Sequence, residues 1–277
     1  MTDYKRHDAI YSSIKNRQPG VRGIGTYFEK SMHAALKYYY EPDESKHEIR
    51  VGGYIADIYT GEQIVEIQTG QLYALRNKLA VFLDVAPVMV VYPIPIIYGI
   101  ETVDGNESNF KNTGPPNLQR KELRDFENFF EELYGLRSVL GRQGLTVCVV
   151  RVAVVSVEHD RRPKKKRGTK KKTTRKIDKL PISLLGEVVL REARDYLCFI
   201  PEGLPEAFTS KEYAKAANVK LSCGRMMLCL LVQLGILQQI GTQRRWRLYK
   251  QIDKDYELCD EDYSYDEYAD DPSAVYD

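Results

Sequence analysis

The chain reads as an α/β protein in which a mixed sheet flanked by helices is followed by a smaller unit of two helices and a β-hairpin. Three observations carry that reading. A helix-period segment precedes two short β-period segments and a second amphipathic helix. Residues 145–155 form a run that is apolar on both faces, as a strand inside a covered sheet must be. Past residue 209 the pattern turns helical twice and ends in a glycine-containing hairpin.

Residues 25–37 have helical spacing, and Met32 and Leu36 share the face of Glu29. Residues 49–57 and 63–68 read as strands joined by a two-residue turn at Thr60-Gly61. With that turn Tyr59 opposes Glu62, Asp57 opposes Ile64, and Glu66 lies diagonally beside Asp57 on the same sheet face. An amphipathic helix over 71–83 and a short buried strand over 88–93 follow. Residues 102–117, rich in Asn, Gly and Pro, read as an exposed loop. Residues 121–140 read as a helix with Leu123, Phe126, Phe130, Leu133 and Leu136 on one stripe. The first unit thus extends over residues 1–158.

Glu29, Asp57, Glu66 and Gln68 fall where a helix and a hairpin could gather them round one cation. Clustered carboxylates repel one another unless a cation or a shared proton relieves them. Oxygen ligands favour Mg2+ or Mn2+, which keep several waters and suit phosphodiester hydrolysis. The same spacing also fits solvated residues on the open face of an antiparallel hairpin.

These residues resemble the PD-(D/E)xK, or restriction-endonuclease-like, nuclease superfamily. The resemblance implies a first-helix Glu, a strand Asp and a Glu-x-Lys on the next strand, then a helix and another strand. Glu29, Asp57 and Glu66 fill the acidic positions and would be the metal ligands. Gln68 stands where the family usually has Lys; it can orient water or phosphate but supplies no positive charge. Lys78, on the following helix, is a candidate source of that charge, and a solvated helix Lys is the alternative.

Charge divides the rest of the chain. The net charge is only +2, yet residues 159–180 are strongly basic, with Lys164, Lys165 and Lys166 at the centre, and read as a linker or loop able to hold phosphates. Residues 253–277 invert the balance as an acidic, tyrosine-rich tail that is expected to be disordered. Five cysteines without a CxxC pair fit a reducing, cytoplasmic setting, and neither a leader nor a membrane span is expected.

Residues 181–252 form the second unit. Thr209 and Glu212 have capping-box spacing, a short helix and a turn at Asn218 follow, and a second helix closes at Gly235. A hairpin with Gly241 near its tip completes the order of a winged helix-turn-helix. Ser222, Arg225, Gln243, Arg244, Arg245 and Arg247 would face DNA, the second helix in the major groove and the wing on phosphates. Winged helices also dock protein partners. The combined order is similar to transposon endonuclease subunits and to an uncharacterised bacterial family. The expectation is a Mg2+-dependent DNA endonuclease, acting as a homodimer if both strands are cut. The alternative is a non-catalytic DNA-binding or scaffold protein with a degenerate nuclease fold.

Overall fold

The computed structural model describes residues 27–104, 107–112, 123–161 and 173–252. Helix α1 (Tyr27–Tyr40) leads into an antiparallel meander of β1 (His47–Val51), β2 (Tyr54–Tyr59) and β3 (Ile64–Ile67). A 3-10 turn at Leu72–Leu75 and helix α2 (Arg76–Leu83) carry the chain over the sheet, and β4 (Val88–Asp104) returns parallel to β3. After β5 (Glu107–Asn112) and helix α3 (Glu127–Gly135), β6 (Leu145–Arg161) lies parallel to β4, with β7 (Thr173–Leu190) antiparallel beside it. The mixed sheet has the order β1-β2-β3-β4-β6-β7, and β5 pairs with β4.

The apolar run of β6 explains why the sheet is covered twice. Val147 and Val149 point into one core with Leu79 and Phe82 of α2 and Phe129, Phe130 and Leu133 of α3. Cys148 and Val150 point the other way, into a second core with Met32 and Leu36 of α1. Each fully buried side chain of this size contributes about 1.5–3 kcal/mol. Polar contacts also tie α1 to β7: Ser31 Oγ donates to Asp178 Oδ2 at 2.8 Å and Tyr40 Oη to Glu187 Oε1 at 2.7 Å.

Two segments expected to be irregular contain strand among the described residues. Residues 102–117 do not form a simple loop, because β4 continues to Asp104 and β5 pairs back on it from Asp104↔Glu107 to Gly99↔Asn112. Both described ends of the basic stretch, residues 159–161 and 173–180, are strand as well. β6 runs to Arg161 and β7 starts at Thr173, with Arg161 opposite Thr173, so the boundary placed at residue 180 falls inside a sheet strand. Backbone pairing with the continuing β6 strand outweighs charged composition here. Lys164, Lys165 and Lys166, and the tail after Ile252, lie outside the described residues.

The C-terminal elements are β8 (Ala207–Thr209), α4 (Ser210–Ala216), α5 (Leu221–Gln233), β9 (Leu237–Gln243) and β10 (Trp246–Gln251), with a three-stranded sheet ordered β8-β10-β9. The capping box forms as the sequence predicts: Thr209 Oγ1 accepts from the Glu212 N–H, and Glu212 Oε2 accepts from the Thr209 N–H. This unit shares its core with the first. Tyr213, Leu228, Leu231 and Tyr249 belong to the same buried cluster as Phe129 and Phe130, bridged by Phe199, whose ring lies 5.0 Å from that of Phe130.

Candidate active site

The β2–β3 hairpin turns differently from the expected two-residue Thr60-Gly61 turn. The Thr60 N–H donates to the Gln63 carbonyl, Gly61 takes a positive φ of 93°, and Tyr59 pairs with Ile64 and Ile58 with Val65. The turn therefore contains two more residues, and the register moves by two. A shift of two keeps every side chain on its face, and one step further along this register Asp57 stands across from Glu66 rather than diagonal to it.

At that step the backbone ladder stops and carboxylates take its place. The Ile67 N–H donates to Asp57 Oδ2 at 2.8 Å, and the Asp57 N–H donates to Glu66 Oε1 at 3.1 Å. The two acids are fixed by the strand ends that they hold together. Glu66 is 2% exposed, and Lys78 Nζ, projecting from α2, donates to its Oε2 at 2.5 Å. The ammonium also lies 5.4 Å from the centre of the Phe82 ring. His33 approaches from α1, with Nε2 3.0 Å from Asp57 Oδ2.

The acids differ in electrostatics. Burial, together with the negative Asp57, pushes the Glu66 carboxyl up to about 7 against the pull of Lys78. Burial also pushes on Asp57, but His33, the Ile67 N–H and Lys78 outweigh it and hold that carboxyl below its ordinary value. The surroundings thus push the two carboxyls in opposite directions, Asp57 toward the ionised form and Glu66 toward the protonated one.

Glu29 lies in α1 one turn before His33, and its side chain is outside the described residues. Gln68 follows β3; its N–H donates to the Val91 carbonyl at 2.9 Å, and its side-chain nitrogen donates to the Gly70 carbonyl at 2.6 Å. Asp57, Glu66 and Lys78 therefore meet, whereas the Gln68 amide is engaged in its own loop. His33 was missing from the sequence-derived set. Its signal was the four-residue spacing from Glu29, which puts both on one helical face.

Hard oxygen donors are what a divalent cation would need here. Among the described residues Asp57 Oδ1 takes no hydrogen bond, and Glu66 presents its oxygens to the same junction. Among those residues, no group of three or more His, Cys, Asp or Glu side chains is placed to hold a metal. A complete oxygen set would need Glu29 as well.

The basic residues of the C-terminal unit sit on elements other than those that form this junction. Arg225 is exposed on α5, and Arg244, Arg245 and Arg247 are exposed on the β9–β10 hairpin. Gln243 pairs with Trp246, so the hairpin tip is Arg244-Arg245, while Gly241 sits within β9 opposite Leu248. Glycine does not make this turn. Among the described residues no helix is long and apolar enough to cross a membrane.

A family model described as a domain of unknown function, DUF8091, matches residues 30–191. That span begins inside α1 and ends one residue beyond β7, so it takes in the whole mixed sheet with Asp57, Glu66 and Lys78. The chain is also 26% identical over 230 residues to an uncharacterized protein of Treponema pallidum (strain Nichols), covering 82% of this chain and 87% of that protein. No solved structure matches the chain.

Proposed function

The chain belongs to the DUF8091 family, and we propose that it is a Mg2+- or Mn2+-dependent DNA endonuclease of the PD-(D/E)xK type, with its C-terminal unit acting as a winged helix that holds DNA. One observation carries the reading: Lys78 Nζ stands 2.5 Å from Glu66 at the point where Asp57 replaces the β2–β3 backbone ladder. The element order supports it. A helix, a strand with Asp57, the next strand with Glu66, then a helix and another strand follow in the order that the resemblance implies.

Asp57 and Glu66, with Glu29, would hold the cation. When bound, it would polarise a phosphoryl oxygen and lower the pKa of an attacking water. Lys78 supplies the positive charge that Gln68 lacks and meets the developing negative charge on the phosphoryl group. His33 holds the Asp57 carboxylate in one orientation through its Oδ2. Cutting both strands with one such site per chain calls for two copies, so a homodimer on DNA belongs to this reading. The test is plasmid nicking by the full chain in Mg2+ or Mn2+. Conversion of supercoiled to open-circle DNA is expected from the parent and a fall to background from Asp57→Ala; equal nicking by both would overturn the proposal.

A second reading has its own support. Lys78 neutralises Glu66, and the Gln68 amide is bonded to Gly70, which suits a degenerate site kept as a DNA-binding scaffold. Retardation of DNA by the parent without any metal-dependent nicking would favour it.

A further inference from the structure

The start of α5 is already occupied. The Lys220 N–H, at the N-cap, donates to Glu127 Oε1 at 2.8 Å, Lys220 Nζ lies 3.6 Å from Glu127 Oε2, and Cys223 Sγ donates to the Glu127 carbonyl at 3.3 Å. Glu127 is the first residue of α3, in the other unit. A winged helix that reads bases inserts the N-terminal part of its second helix into the major groove. Here a carboxylate from α3, itself paired with Lys220, fills that position, so a base edge or phosphate would have to displace it. Further along, Gln233 of α5 donates to the Arg137 carbonyl, so the helix is held at both ends.

The wing is built in the opposite sense. Arg244 and Arg245 make up its two-residue turn, and Arg244 has a φ of +57°. A positive φ at the first central position is where such turns favour glycine, so an arginine there is a strained choice. Arg225 and Arg245 both place guanidinium groups over the Trp246 ring, at 5.4 and 5.1 Å from its centre, which brings the helix arginine to the hairpin. Arg225, Arg244, Arg245 and Arg247 are exposed, and among the described residues none of them makes an ion pair.

We infer that this unit grips the phosphate backbone through the arginine-tipped wing and Arg225, and that α5 does not read bases. The inference rests on the nucleic-acid part of the function proposed above and specifies its mode: duplex DNA held by charge and shape, without sequence preference from the C-terminal unit. A wing presenting arginines to phosphates releases counterions, so its contribution is visible as salt dependence.

The experiment measures fluorescence anisotropy of the full chain on two duplexes of equal length and unrelated sequence, without divalent metal, between about 50 and 200 mM salt. Equal affinity for both duplexes is expected. Replacing the wing cations together (Arg244→Gly, Arg245→Ala, Arg247→Ala, with glycine chosen to suit the left-handed turn) should lower the slope of log affinity against log salt by about 2.7 and weaken binding by roughly tenfold or more. Ser222→Ala, on the exposed side of the first turn of α5, should change nothing. The inference falls if the wing variant keeps the parent slope, if the two duplexes bind with different affinity, or if the parent binds neither duplex, which would point to a protein partner instead. Cleavage is not read in this assay, so loss of the nuclease reading in the nicking test leaves its result intact.

Discussion

At the scale of single residues, the pair Glu66 and Lys78 makes the sharpest statement. Glu66 titrates at about 7 in the folded chain against an ordinary 4.5, so between these values the folded state holds more protons than the unfolded one. Stability attributable to this group therefore declines as pH rises through that window. Lys78 is what limits the decline, because its ammonium compensates the ionised carboxylate. Lys78→Met should accordingly cost little near pH 5, where Glu66 carries its proton, and about 1–1.5 kcal/mol more near pH 8, where Glu66 must take up a proton that Lys78 had let it shed. Urea denaturation at the two pH values checks this; an equal cost at both would mean that the ion pair does not hold Glu66. Asp57 contributes in the other direction, since its depressed carboxyl stabilises the fold above its ordinary value of 3.8 and loses that contribution only in stronger acid.

At the scale of elements, helix α5 shows how tertiary contacts reassign a segment. Its pattern of buried positions, Cys223, Met227, Leu228, Leu230 and Leu231, is that of an amphipathic helix and was legible in the sequence. That its start would be capped by an acid from α3 was not, because Glu127 lies 93 residues away along the chain. A carboxylate at a helix N-terminus is favourable on electrostatic grounds and adds a hydrogen bond to an otherwise unpaired N–H. Glu127→Ala should destabilise the protein by about 1–2 kcal/mol, measured as a lower midpoint in chemical denaturation. An unchanged midpoint would show that the contact contributes no net stability. The β2–β3 hairpin teaches a related lesson: alternation fixed the faces of Asp57 and Glu66, whereas turn length, which sets the register, required the four-residue turn to be seen.

At the scale of the whole molecule, the shared core governs behaviour. Phe199, fully buried between the two sets of elements, packs on Phe126, Phe129 and Phe130 and on Tyr196. A core that runs through both units couples them, so residues 27–252 should unfold together. Calorimetry is expected to show one transition. Phe199→Ala should lower that single transition by the equivalent of about 3–5 kcal/mol, through lost burial and the cavity left behind. Two separated transitions, with only one moved by the substitution, would contradict the coupling.

The residues themselves announced the helix whose face carries Met32 and Leu36, the strands bearing Asp57 and Glu66, the covered strand at 145–155 and the capping box at Thr209, because each depends on neighbours within a few positions. Long-range contact settled the rest. The pairing of β6 with β7 made strand out of a charged stretch, the approach of α2 brought Lys78 to Glu66, and α1 added His33 to Asp57. Such outcomes depend on which surfaces meet once apolar faces are buried, and local periodicity carries no record of the partner across the core.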